Sequence, residues 1–154
     1  EIAFLRSESS SVKEFNSIPY MIDYLTAVLP ATHPLAKADN LPFEQLRGET
    51  FLLFPEHSFI NDLCIRECRN AGFEPHIAYT GNRGATLIDL VRNGAGITLM
   101  MHHSARQEND SSLAFIPVTP GIYSYISLNY AKEKPLSPQA ESFVRYVKAH
   151  KRDF

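Results

Sequence analysis

The stretch "GFEPHIAYTGNRGATLIDLVRNGAGITLMM", Gly72 to Met101, decides how the rest of the chain is read. It opens on a short apolar strand, "HIAYT", and passes through a polar, glycine-rich turn from Thr80 to Gly84. A helix over Ala85 to Arg92 follows, with Leu87, Ile88, Leu90 and Val91 at helical spacing on its buried side. Gly94 and Gly96 close that helix, and "AGITLMM" returns as a second apolar strand. The residues before it carry the same unit. "TFLLF" (Thr50 to Phe54) is a compact buried strand, "PEHS" a loop, and from Ser58 the apolar Phe59, Leu63, Ile65 and Ala71 recur among charges until Gly72 stops the helix. Two consecutive strand, helix, strand units imply a parallel sheet with right-handed crossovers.

Further upstream, "YMIDYLTAVLP" (Tyr20 to Pro30) reads as a long strand stopped by a residue that cannot donate to a ladder. "ATHPLAKADNLPFEQLRGET" then gives a loop marked by Pro34 and Pro42 and one short helix, Pro42 to Leu46. The opening "EIAFL" has the look of a buried strand yet starts without a turn or cap, which reads as a chain that begins inside a domain. Downstream, "SLAFIPVTP" and "YSYISLNYAK" are two strands joined by a Pro and Gly turn. Ser137, Pro138 and Glu141 then start a helix whose end carries basic residues, Lys151 and Arg152 among them. The organisation expected is α/β in two lobes: residues 1–46 with 102–154 as a discontinuous, partial first lobe, and 47–101 as the second. Two crossings between lobes would make a hinge.

Composition narrows the function classes. With 154 residues and 44% apolar content, including 10 Phe and 7 Tyr, the chain has material for a sizeable core. Its 15 Lys and Arg against 17 Asp and Glu leave no basic stripe for gripping nucleic acid directly. No apolar run reaches the roughly 18 residues of a membrane span, and no signal peptide is evident, so a cytoplasmic location without membrane association is expected. Cys64 and Cys68 lie four apart on a helix face, poorly placed to bridge, and read as reduced and buried.

Ligands of an open parallel sheet bind beyond the carboxyl ends of its strands, where loops lead into helix N-termini. The two such loops here are "FPEHS" and "TGNRG". In the second, Gly81 and Gly84 would let the backbone turn tightly and approach a guest, Thr80 or Asn82 would cap the helix, and Arg83 would add charge. Free N–H groups and the helix dipole favour a carboxylate or other anion there. The same residues also suffice simply to cap a helix. Other chemistry finds less support. His102 and His103 adjoin, while His33, His57, His76 and His150 are scattered without metal-ligand spacing. Neither a dinucleotide fingerprint, a phosphate-loop lysine nor a G-x-S-x-G elbow is present, and Glu56 beside His57 is a weak acid–base pair. No metal, cofactor or catalytic residue is expected.

"YLTAVLPATHPLA", a short helix, and then "ETFLLFPEHSFINDLCIRECRNAGFEPHIAYTGNRGATLIDLVRNGAGITLM" together resemble the effector-binding domain of LysR-type transcriptional regulators. The family pattern runs from a strand ending in proline and "HPLA", through a helix ending in "aGF.P" and a polar turn, to "l..lV..G.GI.l.P". "EIAFLR" resembles the strand before the "HPLA" strand, so the resemblance spans nearly all of the chain; it departs at Met101, where the family has proline. The resemblance implies a bacterial, periplasmic-binding-protein-like fold of mostly parallel sheets flanked by helices, with the first lobe incomplete. It implies a small-molecule effector held between lobes and bordered by Leu29, by Pro55, Glu56, His57 and Ser58, and by Thr80, Gly81 and Asn82. It implies pairing side by side into a homodimer or homotetramer, for which the helix from Phe59 to Ala71 is a candidate face. DNA contact would come only through an N-terminal winged helix-turn-helix absent from this sequence. A solute-binding protein of a transport system shares the two-lobed architecture and is the alternative.

Overall fold

The computed structural model describes residues 2–106 and 110–150. They fall into two compact units, Glu1–Asp23 with Tyr123–Phe154, and Tyr24–Ile122. The chain opens with strands β1 (Ile2–Ser7) and β2 (Phe15–Pro30). β2 begins at Phe15 rather than Tyr20, because Asn16, Ser17 and Pro19 hide an extended backbone behind a polar pattern. Its second half enters the larger unit.

There His33 starts a 3-10 turn over Pro34–Lys37, its Nδ1 accepting from the Leu35 N–H at 3.2 Å, where the sequence suggested only loop. The two-residue strand β3 (Leu41–Pro42) leads into a second 3-10 turn, Phe43–Leu46. This is the expected short helix, more tightly wound and with Pro42 before it. Then come β4 (Thr50–Leu53), α1 (Phe59–Asn70), β5 (His76–Thr80), α2 (Gly84–Arg92) and β6 (Thr98–Met101). β4 and β5 are parallel, Thr50 opposite His76 and Leu53 opposite Thr80, and Ile97 bridges Phe51 in parallel as well. Both crossovers therefore return the chain parallel to β4. Antiparallel pairing appears around the long strand: β2 pairs with β6, Leu25 opposite Met101, and with β7 (Leu113–Thr119), Ala27 opposite Ile116. β3 pairs with β7 in parallel.

After Thr50, the run "FLL" of β4 is apolar and buried because the strand is covered on both faces. Phe51 and Leu53 join Leu63, Cys64 and Cys68 of α1 in one core cluster, while Leu52 joins Leu87, Ile88 and Val91 of α2 in another. Both cysteines are free, and burial pushes their thiols up, Cys68 to about 12. The glycine pair after α2 divides two tasks. Gly94 takes φ 76°, which turns the chain back so that the Ala95 N–H reaches the Leu90 carbonyl at 3.0 Å and ends the helix. At Gly96 a Cβ would lie 2.4 Å from the Thr50 carbonyl oxygen, so only glycine admits this approach to β4. A single turn, α3 (His102–Ala105), follows β6 directly. Met101 holds φ −67° and ψ 138°, a backbone that the proline of the family pattern could also adopt.

In the smaller unit β8 (Tyr123–Ala131) pairs antiparallel with β1, Phe4 opposite Leu128, and lies next to β2. α4 (Pro138–Ala149) starts as expected, with the Ser137 Oγ accepting from the Ala140 N–H at 3.3 Å. The basic Lys151 and Arg152 lie outside the described residues. Ile18, Leu128, Val144 and Val147 form the unit's buried cluster. β1 corrects the expectation of a buried strand: at the end of the strand order it pairs with β8 alone, and Phe4 and Leu5 are 44% and 40% exposed.

The units change at residues 23/24 and 122/123, whereas the sequence reading placed boundaries at 46/47 and 101/102. Leu25, Ala27, Leu29, Leu41, Phe43 and Leu46 close the same core as Phe51 and Leu63, which draws residues 24–46 into the central unit. No helix among the described residues is long and apolar enough to cross a membrane.

Candidate functional site

Register positions the site. Since Leu53 faces Thr80 across β4 and β5, the chain leaves both strands side by side, and the Gly81 N–H donates to the Leu53 carbonyl at 3.0 Å. The loop after β4 is a tight turn. The Ser58 N–H donates to the Pro55 carbonyl at 3.1 Å, and His57 takes φ 63°, a conformation that costs a side chain on the order of 1 kcal/mol or more. Ser58 caps α1, its Oγ accepting from the Asn61 N–H at 3.3 Å. Asn61 itself is 1% exposed, and its Nδ2 donates to the Phe54 carbonyl at 2.8 Å, tying the helix start to the strand end.

A cavity of about 450 Å³ opens beside this loop. Of the eight residues expected to border the effector, Glu56, His57 and Thr80 line it, whereas Pro55, Ser58, Gly81 and Asn82 belong to the adjoining turns. Leu29 is placed elsewhere: it has no exposed surface and packs with Leu25, Ala27 and Ile116, so its side chain reaches no ligand at the surface. The remaining lining comes from positions the sequence reading did not select for the site, Asn61, Asp62 and Ile65 of α1 and Ile77, Ala78 and Tyr79 of β5. Three-residue spacing from the Ser58 cap to Asn61 was the available signal for the first of these.

The start of α2 also differs from expectation. Arg83, not Thr80 or Asn82, is the cap residue, and its side chain makes no cap hydrogen bond to the helix start. A Cβ at Gly81 would come within 2.7 Å of the ring of Tyr79, an exposed side chain that can swing aside, and a Cβ at Gly84 would make ordinary contact with Phe54 at 3.7 Å, so neither glycine is demanded by space. Two of the histidines, His33 and His102, are held by neighbours. His102 stacks on Tyr24 with ring centroids 4.3 Å apart and lies 3.3 Å through Nδ1 from the Thr26 hydroxyl, and His33 Nε2 is 3.3 Å from Glu49. Among the described residues no three His, Cys, Asp or Glu side chains gather as metal ligands do.

Parallel strands whose polar loops emerge side by side into helix starts define a ligand-binding α/β domain. Residues 1–152 match the family described as LysR substrate binding domain, and the chain belongs to that family. It is 26% identical over 148 residues to the transcriptional dual regulator GltC of Bacillus subtilis (strain 168), covering 96% of this chain and 49% of GltC. The HTH-type transcriptional regulator CatR of Pseudomonas putida is 33% identical over 96 residues, 61% of this chain and 32% of CatR. The chain thus spans about half the length of GltC and less of CatR. Among solved structures, the CcmR regulatory domain of Synechocystis PCC6803 in complex with 2-PG superposes with a TM-score of 0.86 at 17% identity, over 99% of this chain and 74% of that one. The reduced OxyR regulatory domain from Pseudomonas aeruginosa gives 0.75 at 14% identity, over 96% and 72%. These likenesses are of fold, the periplasmic-binding-protein-like fold of LysR regulatory domains. The curated relatives are transcriptional regulators, which sets the chain with effector-sensing domains rather than transport proteins.

Proposed function

We propose that this chain senses a small-molecule effector and that its occupancy controls DNA binding and transcription by the full-length, cytoplasmic regulator. The observation that carries this reading is the pairing of Leu53 with Thr80, which brings Pro55–Ser58 and Thr80–Asn82 together at the carboxyl ends of parallel strands. The relatives' regulatory names and the 2-PG complex of the CcmR domain support it. Binding acts by differential affinity for two arrangements of the regulator, shifting their populations, and the shift reaches DNA through a winged helix-turn-helix in a homodimer or homotetramer.

The effector offers a carboxylate or other anion to the first turn of α2. That turn has no side-chain cap, the helix dipole favours negative charge, and Arg83 adjoins it. Glu56 and Asp62 in the neighbouring cavity turn an anion away, which leaves Gly81 to Ala85 as its place. The test begins with a calorimetric screen of organic carboxylates. An Asn82→Leu variant is expected to weaken the hit by about tenfold, the loss of one hydrogen bond to a charged group. Unchanged affinity removes Asn82 from the site, and a screen in which no carboxylate binds removes the anion.

A further inference from the structure

We propose that Arg6 is a latch that ties together the two strands by which the chain passes between its compact units. β2 makes that passage after Asp23 and β8 begins just past the return at Tyr123, so Asp23 and Ser124 stand on the smaller unit's side of the two crossings. Arg6 reaches both. Its Nη1 donates to the Ser124 Oγ at 2.5 Å, and Nη1 and Nη2 lie 3.4 and 3.3 Å from the Asp23 Oδ2. Register explains the reach. Arg6 stands opposite Ile126, which shares a sheet face with Ser124, and β8 lies between β1 and β2, so the guanidinium bonds the neighbouring strand and extends past it to Asp23.

Burial gives the bridge its weight. Asp23 and Ser124 have no exposed surface, whereas the Arg6 side chain is 24% exposed. A buried carboxylate that loses its cation is costly, which holds the guanidinium over Asp23. The planar fork of a guanidinium can bond a hydroxyl on one strand and a carboxylate on another at once. A lysine, a point charge on a flexible stem, would serve the charge without fixing the spacing. On the larger unit's side the same two runs of chain are joined again, by the Leu25 N–H donating to the Ile122 carbonyl at 2.8 Å. With a tie on each side of the crossings, β2 and β8 form one stiff double connection rather than two separate tethers. That connection is the covalent route by which a change in residues 24–122 reaches the smaller unit, a step beyond effector binding itself.

Hydrogen exchange read by amide NMR on the whole chain tests this, with the Leu25 amide as reporter. In Arg6→Lys, and in Ser124→Ala, which keeps Arg6 beside Asp23, the Leu25 amide is expected to exchange about tenfold faster, as on loss of one hydrogen bond to a charged group. Leu53 of the larger unit and Leu128 of the smaller are expected to keep their rates. Unchanged exchange at Leu25 in either variant overturns the latch, and in Arg6→Lys it shows that charge alone suffices. Acceleration shared equally by Leu25 and Leu128 overturns it as well, since Arg6 would then only stabilise the smaller unit. No effector enters the experiment, so either failure leaves the sensing function standing.

Discussion

Thr98 has no exposed surface, and its Oγ1 is a buried side-chain oxygen without a hydrogen-bond partner among the described residues. Valine has nearly the same shape and no polar atom to desolvate, so Thr98→Val is expected to stabilise the chain by about 1 kcal/mol in chemical denaturation. A loss of stability would mean that the hydroxyl is bonded after all. Asp110 is the opposite case, a carboxylate with partners in excess. The Ser112 hydroxyl and backbone N–H, 2.7 and 2.8 Å away, together with Arg92 at 2.6 Å, hold it down to about 2. Because the folded value lies below the ordinary one of about 3.9, its contribution is complete above that pH and fades as pH falls toward 2. Wild type should therefore be more stable than Asp110→Asn at pH near 6, with the gap closing by pH near 2; a gap independent of pH would detach the effect from this carboxylate.

α1 turns Leu63, Cys64 and Cys68 into the core and leaves Ile65 half-buried beside the exposed Asp62 and Arg66. β5 beside it pairs with β4 alone in its two-stranded sheet, with Tyr79 exposed. An apolar residue on a charged helix face next to an unpaired strand edge is where a second copy would gain most, and Ile65→Glu is expected to lower the oligomer mass in sedimentation. Unchanged mass would move self-association to another face. Much of this level was legible in the sequence because the signals are local: Ser58 and Ser137 bond N–H groups three residues on, and Gly72 and Gly94 end helices through their own φ. What was not legible depends on partners distant in sequence. Nothing local tells that β2 is covered on both faces, Val28 facing one cluster and Leu29 the other, so Leu29 was read as a site residue when it is core. Asn61 was passed over for a similar reason, its meaning residing in a bond to Phe54 rather than in its own neighbours.

The division of the chain into units makes a claim about folding that the lobe boundaries drawn from sequence would not. Residues 24–122 contain two core clusters, including Phe51, Leu53, Leu87 and Met100 with almost no exposure. The ends of that segment meet, the Leu25 N–H donating to the Ile122 carbonyl at 2.8 Å, as the ends of an independent domain do. Among the described residues the other unit closes around four buried apolar side chains, Ile18, Leu128, Val144 and Val147, with Phe4, Phe143 and Tyr146 exposed, which is little apolar burial to offset chain entropy. Residues 24–122 produced alone are therefore expected to fold cooperatively, with dispersed amide NMR signals and a single denaturation transition. A segment of residues 47–101, the lobe expected from sequence, should not, because it lacks Leu25, Leu29, Leu41 and Ile116 from the cluster that Phe51 and Leu63 require. If the shorter segment folds and the longer one gains nothing over it, β2 and β7 are not part of that core's stability and the boundaries at 46/47 and 101/102 are the physical ones.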